Sequence, residues 1–188
     1  MKIVLTIFIV LWVKTLNAQI IIDDVFKNAE YYSIIDTTYG TTVLYDEILD
    51  DLTVAAELTK TITHKNLLKF QHLDDNNYYG KLGKIDGQIT VIKKQTGYLK
   101  LYGDGSYWKI VSGQAKVILT YSQINDSLML TKIDVYLTTN PLGKILLSLD
   151  VFGIIRKEID KIMSYIKIVG YQIMTNKKWQ QLFTKAEQ

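Results

Sequence analysis

Residues 128 to 170 read LMLTKIDVYLTTNPLGKILLSLDVFGIIRKEIDKIMSYIKIVG, and two hydrophobic periods meet within them. Up to Leu137 the pattern alternates. Met129, Ile133, Val135 and Leu137 share one face, and Lys132, Asp134 and Tyr136 share the other, as in a half-buried strand. From Asn140-Pro141 onward the period changes. Asn140 suits a helix cap, and Pro141 suits the first helical position, where a missing N–H costs nothing. Leu142, Ile145, Leu146, Leu149, Phe152, Ile155, Ile159, Ile162, Met163 and Ile166 then recur every three or four residues, with polar side chains opposite. The spacing predicts one long amphipathic helix that stops at Gly170, followed by a short docking segment around Trp179 and Phe183.

Upstream, residues 78 to 138 read as antiparallel sheet. Tyr98–Tyr102 and Tyr107–Val111 are strand-like runs around Gly103-Asp104-Gly105, which reads as a hairpin turn. Ala115–Tyr121 and Leu128–Leu137 form a second hairpin around Ile124-Asn125-Asp126. Asp74-Asp75-Asn76-Asn77 reads as a turn. Val43 to Ile62 carries helical spacing, diluted by threonines that lose rotamer freedom in a helix. Tyr31–Ile35 has the composition of a strand start. The expected class is α+β: an antiparallel sheet of about five to seven strands, packed against a long C-terminal helix and preceded by an N-terminal helical segment. That order of elements is similar to helix-grip domains such as the START-type lipid-binding fold, and the resemblance implies a pocket between helix and sheet.

The first 18 residues read as a secretory signal. Lys2 precedes the apolar run Ile3–Val13, and Asn17-Ala18 offers a cleavage site before Gln19. As a helix, 11 residues reach only about 16 Å, against roughly 30 Å for a bilayer core. The expected product is one domain over residues 19–188, exported to a periplasm or secreted, with an uncleaved anchor as the alternative. There is no cysteine, which excludes disulfides, thiolate chemistry and a lipid-bearing cysteine. Setting aside Lys2 and Lys14 leaves 20 basic against 19 acidic side chains, and so no electrostatic case for nucleic acid.

Catalytic constellations are sparse. The sequence holds two histidines, His64 and His72, and no G-x-S-x-G, H-E-x-x-H or P-loop pattern. Asp46, Glu47, Asp50 and Asp51 are the densest carboxylate group. They read as a solvated helix face, or alternatively as the centre of a metal-assisted hydrolase with His64. Lys144, Arg156, Lys157, Lys161 and Lys167 raise a membrane-surface reading for the last helix, which Asp150, Glu158 and Asp160 weaken. The favoured reading is a non-catalytic exported domain without a cofactor, binding a lipid, a small apolar ligand or a cell-envelope protein. Its candidate contacts are Tyr107, Trp108 and Tyr136 on strands and Phe152, Ile155 and Ile159 on the helix.

Overall fold

The computed structural model describes residues 25–66, 68–82, 85–107, 111–146 and 152–183. The expected leader and its cleavage site fall outside them. Seven strands form one antiparallel sheet: β1 (Glu30–Tyr39), β2 (Leu68–Asp74), β3 (Asn77–Leu82), β4 (Ile85–Gln95), β5 (Tyr98–Tyr107), β6 (Val111–Asn125) and β7 (Leu128–Thr139). Among the described residues five helices accompany them: α1 (Thr42–Ile48), α2 (Leu52–Thr63), α3 (Pro141–Leu146), α4 (Phe152–Thr175) and α5 (Lys177–Phe183). The strand order is β1-β7-β6-β5-β4-β3-β2, so α1 and α2 carry the chain from one edge of the sheet to the other. The sheet and the long C-terminal helix agree with the expectation. Among the described residues, however, β1 precedes the helical segment expected over Val43–Ile62, which therefore does not come before the whole sheet.

Side chains of adjoining strands follow the predicted parity. The concave face carries Leu99, Leu119 and Ile133 in one register row, and these pack with Ile159 and Met163 of α4. Both tight turns rich in Asp and Asn are held by side chains that accept from nearby backbone. Asp74 accepts from Asn76 N–H, and Asn125 accepts from the N–H groups of Ser127 and Leu128.

Three expected boundaries are corrected. Gly103-Asp104-Gly105 is no turn: β5 runs unbroken through it and is paired with β6 along its whole length. The glycines are needed for close strand approach instead. Gly80, Gly87, Gly105 and Gly113 lie in one register row, and a Cβ on Gly105 would stand 2.4 Å from the Asp86 carbonyl. The helix expected over Val43–Ile62 is two helices: the first stops at Ile48 with Leu49 as its C-cap, and Asp51 caps the next by accepting from Thr53 N–H at 2.8 Å. In α2, Thr59, Thr61 and Thr63 satisfy their hydroxyls on carbonyls four residues back. The third correction concerns the last helix. Asn140 does cap a helix at Pro141, but α3 and α4 are separate elements, and α4 continues past Gly170 to Thr175.

Gly170 is buried, and a Cβ there would lie 2.0 Å from the Tyr39 carbonyl oxygen. It serves contact between helix and strand rather than termination. Lys167 reaches Asp36 at 2.6 Å, and Tyr171 packs edge-on against Tyr39, so three consecutive contacts fasten α4 to β1. The Lys167 ammonium holds the Asp36 carboxyl below its usual value.

One end of the concave face is closed by a polar rivet. The Tyr121 hydroxyl donates to Asp46, which also accepts from Gly97 N–H, and Lys94 pairs with Asp50. Tyr45 packs on Tyr121 with ring centroids 5.4 Å apart and donates to the Tyr39 carbonyl. Burial pushes the Tyr45 hydroxyl up to about 12, and burial followed by the Asp46 bond raises that of Tyr121 further.

Two outcomes follow. Gly170→Val should cost about 1–3 kcal/mol in urea unfolding, because overpacking against a backbone oxygen outweighs the helix propensity gained. A tyrosine whose pKa folding raises stabilises fully below its ordinary value of 10.0, and that share is lost as the pH climbs through the folded value, about 12 for Tyr45. Urea midpoints should therefore fall steeply above pH 10 in the wild type, and less steeply in Tyr45→Phe.

Candidate functional site

Burial along the concave face is uneven. Under α1 and α2 the wall is sealed: Thr38, Leu99, Tyr121, Met129 and Thr131 are buried, and the Thr38 and Thr131 hydroxyls bond to each other at 2.7 Å. At the opposite end Val111 and Gly143 are buried where α3 closes on β6 and β7. Between these ends runs a strip of wall that is only half-buried. It comprises Ile89 and Val91 of β4, Leu101 and Gly103 of β5, Ala115 and Val117 of β6, and Leu137 of β7. Register places Gly103 beside Ala115, and Ala115 beside Leu137. Every one of these residues is aliphatic or glycine, so this strip of sheet offers shape and apolar surface and no acid, base or nucleophile. Ile159 and Met163 of α4 are buried in the same apolar cluster to which Leu101, Val117 and Leu137 belong.

The expected contact residues divide. Ile159 lies on the concave side, in the core. Tyr136 lies on the convex face, because its strand neighbours Val135 and Leu137 point inward. There it packs on Tyr31 with centroids 5.0 Å apart and beneath the Lys116 ammonium at 4.4 Å. Strand parity therefore removes Tyr136 from any pocket shared with Ile159. Trp108 and the side chains of Tyr107, Phe152 and Ile155 lie outside the described residues. Sequence reasoning missed Leu101, Gly103, Ala115 and Val117. Their signal was available as alternation along β5 and β6, but reading Gly103-Asp104-Gly105 as a turn broke that alternation.

The carboxylate cluster does not converge. Asp46 holds Tyr121 and Gly97, Asp50 pairs with Lys94, and Asp51 caps α2, so three of the four are committed to separate structural tasks. His64 is the left-handed residue that ends α2, with φ 55°. His72 stacks edge-on against Tyr78 at 4.6 Å. Among the described residues, no three His, Cys, Asp or Glu side chains come together to hold a metal ion. The metal-assisted hydrolase loses its centre. Among the described residues, too, no helix is long and apolar enough to cross a membrane.

The convex face is polar and aromatic. Asp134 accepts from Tyr31 at 2.7 Å and pairs with Lys132 at 2.8 Å. Burial works to raise its pKa, but Lys132 and Tyr31, helped by Ser33, outweigh it and hold the carboxyl below its ordinary value. An open groove lies along one side of α2, lined by Thr53, Val54, Glu57, Leu58 and Thr61, well apart from this network.

No family model and no curated protein matches the sequence. Solved structures do resemble it. A conserved protein from Geobacillus kaustophilus superposes with a TM-score of 0.57 at 16% identity, covering 76% of this chain and 97% of that one. The ZhuI aromatase/cyclase from Streptomyces sp. R1128 gives 0.58 at 8% identity, with 78% and 96% covered. Norcoclaurine synthase from Thalictrum flavum gives 0.52 at 7% identity, with 79% and 89% covered. At such identities the likeness is one of fold. It agrees with the antiparallel sheet packed against a long C-terminal helix that the order of elements led us to expect.

Proposed function

We propose that this chain is a non-catalytic binding domain that takes a small apolar ligand between the concave face of its sheet and α4, and that it works after export. One observation carries the reading. The concave wall is sealed at both ends yet only half-buried at Leu101, Gly103, Ala115, Val117 and Leu137 between them. Apolar wall left half-covered inside a helix-grip fold is the surface a hydrophobic guest would bury, at about 25 cal/mol per Å². The purely aliphatic lining of the strip supports binding over chemistry. Export rests on the leader-like residues 1–18, and a cell-envelope partner is the second consumer that such a location would offer.

The full chain, expressed in an export-competent host, is to be examined by native mass spectrometry and solvent extraction. A discrete added mass that partitions into the organic phase supports the pocket, and mass analysis should show the exported protein beginning at Gln19. A bare oligomer instead favours an envelope interaction module. A substitution sharpens the test. A Cβ on Gly103 meets only the Gln88 and Ala115 carbonyls, at 3.6 and 4.0 Å, so the strand tolerates a side chain there. Gly103→Leu should leave the thermal midpoint unchanged or higher and weaken binding of the neutral probe N-phenyl-1-naphthylamine at least about tenfold, or roughly 1.4 kcal/mol. Undiminished probe binding would sink the reading.

A further inference from the structure

Behind the half-buried strip, on the convex face, lies a side chain that the proposed binding does not use. Phe26 is only 5% exposed, although it precedes the first strand. A turn closed by Ala29 N–H on the Phe26 carbonyl at 3.1 Å directs it onto the sheet. Its ring meets Tyr102 edge-on at 6.2 Å, and the Lys116 ammonium stands 5.3 Å from its centre. Lys116 in turn caps Tyr136 at 4.4 Å, and Tyr136 packs on Tyr31.

These four sheet residues form one register row: Tyr102 opposite Lys116, Lys116 opposite Tyr136, Tyr136 opposite Tyr31. The row crosses β5, β6, β7 and β1, and Phe26 lies over its Tyr102–Lys116 end. Residues immediately before and after each member point the other way. For β5 these are Leu101 and Gly103, and for β6 they are Ala115 and Val117. Phe26 therefore backs the very part of the wall that is half-buried. That part is thin, because Gly103 and Ala115 bring almost no side-chain mass of their own to hold two strands in shape.

We infer that Phe26 is a positioning residue that couples the segment Val25–Ala29 to the concave wall, so that lifting the segment from the convex face loosens the binding strip and speeds release of its ligand. The inference rests on the binding reading for its consequence, but the coupling itself does not need a ligand. Cation–π and edge-on ring contacts of this kind are individually modest, which suits a clasp that can open without unfolding the sheet. The sealed end, closed by α1 and α2, contributes nothing to the row and is expected to stay shut.

Hydrogen exchange of the full chain, wild type against Phe26→Ala, tests the coupling. Exchange at Leu101, Gly103, Ala115 and Val117 should rise by about tenfold or more relative to Leu119 and Ile133 in the sealed half, without any added ligand. Release of N-phenyl-1-naphthylamine, followed by stopped flow, should accelerate by a similar factor. A uniform rise across both halves, or no rise at all, overturns the inference and leaves Phe26 as ordinary packing. If Phe26→Ala does not fold, Phe26→Leu, which keeps bulk and loses the ring, is read in the same way. A wild-type chain that takes up no probe defeats the binding reading alone, and the exchange comparison still decides the coupling.

Discussion

A single sheet of seven strands is wider than the helix meant to cover it. With about 4.8 Å between strands the sheet measures roughly 29 Å across, whereas a helix with its side chains is about 10–12 Å in diameter. One long helix therefore cannot dry the whole concave face, and the remainder of the architecture answers that shortfall. α1 and α2 close one end, with Tyr45, Leu52 and Ile48 buried. α3 closes the other, where Gly143 lets it settle on Thr139 and Val111. What lies between is incompletely covered, and its residues are apolar because they belong to the face that alternation assigns to the interior. The candidate pocket is thus the part of the core that the helices cover only in part.

The glycines decide how that face is shaped. Gly87, Gly105 and Gly113 allow neighbouring backbones to come closer than any side chain permits, in register across three strands, and Gly80 at the end of their row leaves room for the Ile89 and Phe70 side chains. Gly170 does the same between helix and strand, setting α4 directly against β1. The composition of the chain thus places its smallest residues where main chains must meet, while Leu99, Met129 and Met163 fill the volume between them.

Much of the fold was legible because its signals are local. The strand Leu128–Thr139 follows from alternation, the turns at Asp74 and Asn125 from side chains that bond their own backbone, and the helix start at Pro141 from Asn140. The failures lie where local signals are ambiguous. Glycine chemistry is the same in a turn and in a strand that bends closely past another, so Gly103-Asp104-Gly105 gave no local sign of which it was. The helical period of Tyr45, Ile48, Leu52 and Ala56 likewise runs straight across the break between the two helices, because both bury that side, Tyr45 and Leu52 in one apolar cluster and Ile48 in another. The candidate site was less legible still. Ile159 could be placed by period, but the strip itself is defined by which apolar residues are left uncovered, and that depends on elements far apart in the chain.

The place of β1 in the sheet has a consequence for how the chain reaches this state. It pairs with the last strand, so that Tyr31 bonds Asp134 across 103 positions and Thr38 bonds Thr131 across 93. Strands β2 to β7 can assemble by successive hairpins, each closing a short loop. β1 must wait. At about 5–20 residues per second of synthesis, its partner emerges some 5–20 s after it. During that interval EYYSIIDTTY is an unpaired, β-prone segment without a single lysine or proline to deter other edges. The strand that gives α4 its seat is the last of the seven to be secured, and the newborn chain is exposed to mispairing at the place where the finished one fastens its long helix.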